Sequence, residues 1–142
     1  IVQTQDHVMI LVEMVHDARI IPIGKNHHST KFEKWMGDSV GYWEGDTLVV
    51  KTQDFHPQQS FRGSSGQLVI TERFSLQNEG KIKYAFTLED PLSYRQPWTG
   101  EIAMNRKLPG EHMYEYACHE GNYAFHGIMA GARRQELDQA EL

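Results

Sequence analysis

Between residues 67 and 90 the chain reads QLVITERFSLQNEGKIKYAFTLED, two arms of alternating apolar and polar residues around a polar tip. Alternation with a period of two marks a half-buried strand, and two such runs across a short polar turn predict a hairpin. Counting outward from Glu79 places Leu76 opposite Ile82, Phe74 opposite Tyr84, Glu72 opposite Phe86 and Ile70 opposite Leu88. One face of the hairpin is then apolar except at Glu72.

The same reading extends in both directions. Residues 39–52, SVGYW and TLVVKT around the turn EGD, predict a second hairpin in which Gly45 supplies the left-handed turn position. Residues 7–23 predict two strands joined near His16 and Asp17. In the first, Met9, Leu11, Glu13 and Val15 share one face and Val8, Ile10, Val12 and Met14 the other, so both faces are apolar, as a central strand requires. Residues 99–106 and 112–119 predict two further strands around LPGE. Residues 122–142 predict a closing helix with Asn122 as its N-cap, strongest over 130–140.

Residues 24–30 and 91–98 are loops, and 31–38 is either a helical turn or a loop presenting Trp35 and Met36. The loop 53–66, QDFHPQQSFRGSSG, is long for a plain connection and is expected to be a lid or binding loop. The resulting class is mainly β: an antiparallel β-barrel or a two-sheet sandwich of seven or eight strands with a C-terminal helix.

Composition narrows the setting. At 142 residues, 39% hydrophobic and 23% charged, the chain is expected to be a single domain over 1–142 with one core. The net charge of −5 argues against a nucleic-acid partner, because affinity for phosphate backbones comes from clustered Lys and Arg. No apolar run approaches the roughly 20 residues of a bilayer span. Cys118 is the only cysteine, which excludes an internal disulfide and a cysteine-based zinc site within one chain. The chain opens at Ile1 without an initiator Met or leader pattern. A missing N-terminal segment or leader is therefore expected, which could leave the first strand in want of a partner and makes self-association possible.

Glu72 is the sharpest candidate for chemistry. A carboxylate stripped of water and left unpaired is pushed towards general acid or base work. The plain structural alternative is an ion pair with an arginine such as Arg19. Glu13 raises the same choice, between sharing a cavity with Glu72 and reaching water or pairing with Arg19 or Arg73. His119 and Glu120, in EYACHEGN, sit where the last predicted strand gives way to the helix, where His119 could act as a base or simply cap the strand. His27, His28 and His56 could join His119 in a metal site, but surface histidines are commoner than ligands, and no metal or cofactor is assigned. Cys118 and His119 alternate on a predicted strand and form no dyad, and no glycine-rich phosphate loop is present. Trp43, Tyr84, Phe86 and Trp98 are expected in the core, or lining a pocket for a small hydrophobic molecule if the β structure opens at one end.

Four blocks in order, GDSVGYWEGDTLVVKT, FRGSSGQLVITERF, YAFTLEDPLSYRQPWTGE and MYEYACHEGNYAFHGIMAGAR, carry a resemblance to a large bacterial family without an established activity. It covers about 35–134. Members often carry secretion signals, so the resemblance implies a periplasmic or extracellular protein. Gly41 and Trp43 entering a strand are similar to a short motif of lipocalin-like barrels, which implies binding of small hydrophobic molecules. The expected function is a small-molecule enzyme of the lyase or isomerase kind, with Glu72, His119 and Glu13 as catalytic groups. Arg73, Arg19, Trp43, Tyr84, Phe86, Trp98 and Glu120 would bind ligand. The alternatives are a non-catalytic carrier of hydrophobic ligands and a structural or assembly subunit.

Overall fold

A computed structural model describes residues 1–28, 33–114 and 123–140. Among these, eight strands form two separate antiparallel sheets, followed by one helix. The small sheet joins β1 (Val2–Gln3), β2 (His7–Leu11) and β3 (Ala18–Pro22) in that order. The large sheet joins β4 (Asp38–Glu44), β5 (Thr47–Gln53), β6 (Val69–Asn78), β7 (Lys81–Glu89) and β8 (Trp98–Asn105), each strand beside its neighbour in sequence. Two separate sheets fit the sandwich alternative and do not make one closed barrel.

The β6–β7 hairpin has the register expected from alternation, with Glu72 opposite Phe86 and Phe74 opposite Tyr84, and slips only beyond Leu76 at the tip. The β4–β5 hairpin closes through Gly45 and Asp46, with Gly45 at φ 58°, where a side chain would crowd the backbone. β2 is central in its sheet, as its two apolar faces demand. The described residues 112–114 of the last predicted strand are not in a strand, and the rest of it lies outside the described residues. The helix, α1 (Ala124–Ala140), matches the strongest part of its prediction, and none of its residues is buried.

Because alternate residues share a face, the pairings place Ser39, Thr52, Ile70, Leu88 and Trp98 on one face of the large sheet, with Gly41, Val50, Glu72, Phe86 and Gly100 in the next row. The small sheet lies on part of this inner face. Val8 and Ile21 pack with Leu48 and Val50 as the buried core, flanked by Ile10, Ile23 and Phe74. Close approach depends on Gly41: a Cβ there would come within 2.8 Å of Ile23 Cδ1 and 3.0 Å of Ile21 Cγ2. Ile23 also bridges to Gly41 in parallel, tying the two sheets together.

Candidate functional site

β3 and the β6–β7 hairpin meet at Glu72, only 4% exposed. The period of β3 turns Arg19 and Ile21 towards the large sheet, and Ile20 outward. Arg19 then grips Glu72 with both ends of its fork: Nη1–H donates to Oε1 at 3.0 Å and Nη2–H to Oε2 at 2.6 Å. Nη2 is also 3.2 Å from Thr52 Oγ1 and 3.3 Å from Ser39 Oγ. From β7 the Tyr84 hydroxyl donates to Glu72 Oε1 at 2.9 Å. Planar two-point pairing of this kind satisfies a buried carboxylate far better than one contact can.

The neighbours adjust one another's protonation. Burial, and then the negative charge of Glu72, push the Tyr84 phenol well above its usual range, against a smaller opposing effect of Arg19. The phenol therefore keeps its proton and remains a donor. Burial works against the charge of Arg19, but its hydrogen bonds and attraction to Glu72 prevail and raise its pKa.

This polar group forms one side of a cleft of about 370 Å³. Ile70, Phe86 and Leu88 continue the sheet side, with Ile102 from β8. Opposite them, Phe55, Gln59 and Phe61 come from the loop 54–66, beside Trp35 and Met36. The loop is fastened on both sides. The Lys34 N–H donates to Asp54 O and the His56 N–H to Lys34 O, while His56 stacks on Trp35 at 4.2 Å between ring centres. At the other end the Tyr94 hydroxyl donates to Phe61 O, and the buried Asp90 carboxylate accepts from the Ser65 backbone N–H and hydroxyl. Trp98 stands edge-on to Phe86 at 5.9 Å and so buttresses the wall.

The expected site residues thus separate. Arg19, Glu72, Tyr84 and Phe86 converge on the cleft, with Trp98 behind. Glu13 does not join them: it is exposed, outside the strands, at the start of the short turn Met14–His16. The strand ends at Leu11, so the alternation that placed Glu13 on the face of Met9 and Leu11 stops before it. Arg73, next to Glu72 in sequence, projects to the opposite face and pairs with Glu44 at 2.8 Å. Trp43 lines a different, mainly apolar cavity of about 540 Å³ with Val8, Ile10, Phe74 and Ile82. His119 and Glu120 lie outside the described residues. Of the histidines considered for a metal, His27 and His28 lie against Asp38 and His56 stacks on Trp35, and no metal-binding group of three or more His, Cys, Asp or Glu exists among the described residues.

Two of those histidines belong to another buried carboxylate, Asp38, which pattern reading missed. His27 Nδ1 lies 3.1 Å from Asp38 Oδ2, His28 Nδ1 lies 2.8 Å from Oδ1, and the Lys34 ammonium donates to Oδ1 at 2.9 Å. Burial pushes the Asp38 carboxyl up, but Lys34 and the hydrogen bonds from His28 and His27 outweigh it and hold the group well below the usual carboxylate range. The cleft residues Phe55 and Phe61 were also missed individually. Their signal was two large aromatics in an otherwise polar loop. Comparison with known protein families, with curated proteins and with solved structures gives no match for this chain.

Proposed function

We propose that this protein binds a small, uncharged, mainly aromatic molecule in the cleft between the β6–β8 face and the loop 54–66. The carrying observation is that a cavity of about 370 Å³ has aromatic side chains on both sides and the Arg19–Glu72–Tyr84 group at one side. That volume lies within the range of roughly 300–1,000 Å³ typical of small-molecule sites. Arg19 and Glu72 neutralise each other, which gives an ionic ligand no net attraction and leaves hydrophobic burial as the main source of affinity. The two sheets serve as an open sandwich, and the loop as a fixed wall. Export of the protein rests on its sequence resemblance alone.

N-Phenyl-1-naphthylamine, an uncharged dye that brightens in apolar sites, tests this reading. A saturable rise in fluorescence is expected, with affinity weakened about tenfold in a Phe55→Ala/Phe61→Ala variant, from the loss of two aromatic contacts. A dye that stays dark with the unmodified protein sinks the proposal.

The acid–base enzyme is the second reading, favoured by one observation: Tyr84 Oη and Glu72 Oε1 are 2.9 Å apart and both residues line the cleft. Tyr84 could pass its proton to a bound substrate, the charge of the phenolate left behind being opposed by Glu72 and offset by Arg19. The grip of Arg19 on both carboxylate oxygens favours the binding reading instead. Full activity on an identified substrate in both Glu72→Gln and His119→Ala would end the enzyme assignment.

A further inference from the structure

Phe86 lies directly opposite Gly100 across β7 and β8, so the two residues share the inner face of the sheet. A Cβ built on Gly100 would stand 2.8 Å from Phe86 Cε1 and 2.9 Å from Cε2, and closer still to Cζ. These are the far atoms of the ring. The Phe86 ring therefore lies down across the strand, on the space a side chain at position 100 would occupy. Tyr84 is at 5.5 Å and a 34° tilt on one side, and Trp98 stands edge-on, so sideways movement is hindered. A side chain at position 100 would lift the ring off the sheet, and above the ring is the cleft.

The shape of this floor follows from the same contacts. Within the cleft Tyr84 and Phe86 succeed one another along β7 at an interplanar angle of 34°, giving a shallowly tilted aromatic strip. A flat ring system can lie on such a strip with full contact. A compact, rounded molecule of similar size touches it over a smaller area and loses dispersion contacts.

Resting on the binding reading above, we infer that Gly100 is the specificity-determining residue of the cleft: by letting Phe86 lie flat, it shapes the site for flat, uncharged aromatic molecules. An aromatic ring over a glycine is also a way to cover an exposed strand backbone. That structural role alone would alter stability and leave ligand preference unchanged.

The test titrates 2-naphthol and 1-adamantanol, a flat and a rounded alcohol, against the unmodified protein, Gly100→Ala and Phe86→Ala, following heat of binding and thermal melting. The unmodified protein is expected to prefer 2-naphthol. Gly100→Ala should weaken 2-naphthol binding about tenfold by displacing the ring into the cleft. Phe86→Ala, which leaves the backbone untouched, should reverse the preference towards 1-adamantanol and decides the matter if Gly100→Ala does not fold. Binding of 2-naphthol unchanged in a folded Gly100→Ala, or an unchanged preference in Phe86→Ala, overturns the inference and leaves the binding reading standing. So does equal binding of the two alcohols by the unmodified protein. Absence of binding by either alcohol to the unmodified protein overturns the inference, while the dye titration judges the binding reading separately.

Discussion

On one half of the inner face of the large sheet, Leu48 and Val50 are closed beneath Val8 and Ile21. On the other half, Phe86 is only partly buried and Ile102 is 53% exposed. Both halves are built from alternating apolar residues, and only the small sheet makes them different. Where it lies, the face becomes core; past its edge, the face becomes one wall of a cleft. Arg19 and Glu72 stand at that boundary, and their pairing lets polar groups sit where core gives way to cavity.

Arg19→Ala should break this boundary most severely. It strands Glu72 without its cation, and removing one partner of a buried pair costs about 3–5 kcal/mol. Urea unfolding measures the loss, and an Arg19→Met/Glu72→Leu variant should recover most of it, because removing both charges abolishes the desolvation penalty.

Asp38→Asn comes next, at about 1–3 kcal/mol, since it weakens the acceptor for Lys34 and the two histidines. Its pH dependence sharpens the assignment. The folded pKa of Asp38 lies below its ordinary 3.8. Its stabilising contribution is therefore complete above that value and fades as pH falls towards the lower folded value. Acid unfolding curves should accordingly show a shallower acid limb in the variant, and superimposable limbs would contradict the placement of this carboxylate.

The comparison itself can be tested with one chemical change made in both halves. Ile21→Val, fully buried where the small sheet meets the large one, should cost about 0.5–1.5 kcal/mol. Ile102→Val should stay within about 0.5 kcal/mol, as exposed substitutions do. Equal losses in urea would mean that the second half is as closed as the first. Smallest of all is Arg73→Ala, whose half-exposed pair with Glu44 is worth about 0–1 kcal/mol, and less in salt. It should leave dye binding unchanged, because Arg73 lies on the far face of the sheet.

Much of the fold was legible because strands announce themselves locally. The register of the β6–β7 hairpin followed from alternation and a polar tip, and Glu72 stood out because a charge interrupted an apolar face. Arg19, a cation on a neighbouring predicted strand, was legible as its partner. Glu13 misled for the same local reason: alternation was carried two residues beyond the end of a real strand. Asp38 left no such mark. Its partners come from residues 27, 28 and 34, in a stretch with no period, and only the path of the chain brings them together. Gly100 likewise carries no mark in the sequence of the Phe86 ring that lies across it.

The sequence by itself determined which residues alternate, hence the hairpins, their registers and the faces that Glu72, Tyr84 and Phe86 share. Those are short-range consequences of a two-residue period. Only the tertiary structure decided that β3 delivers Arg19 to Glu72, that the small sheet covers half of the large one, and that the loop 54–66 walls the remainder into a cleft. These depend on where separate elements dock, and docking is set by the shape and volume of whole faces, with Gly41 permitting the close approach of the two sheets.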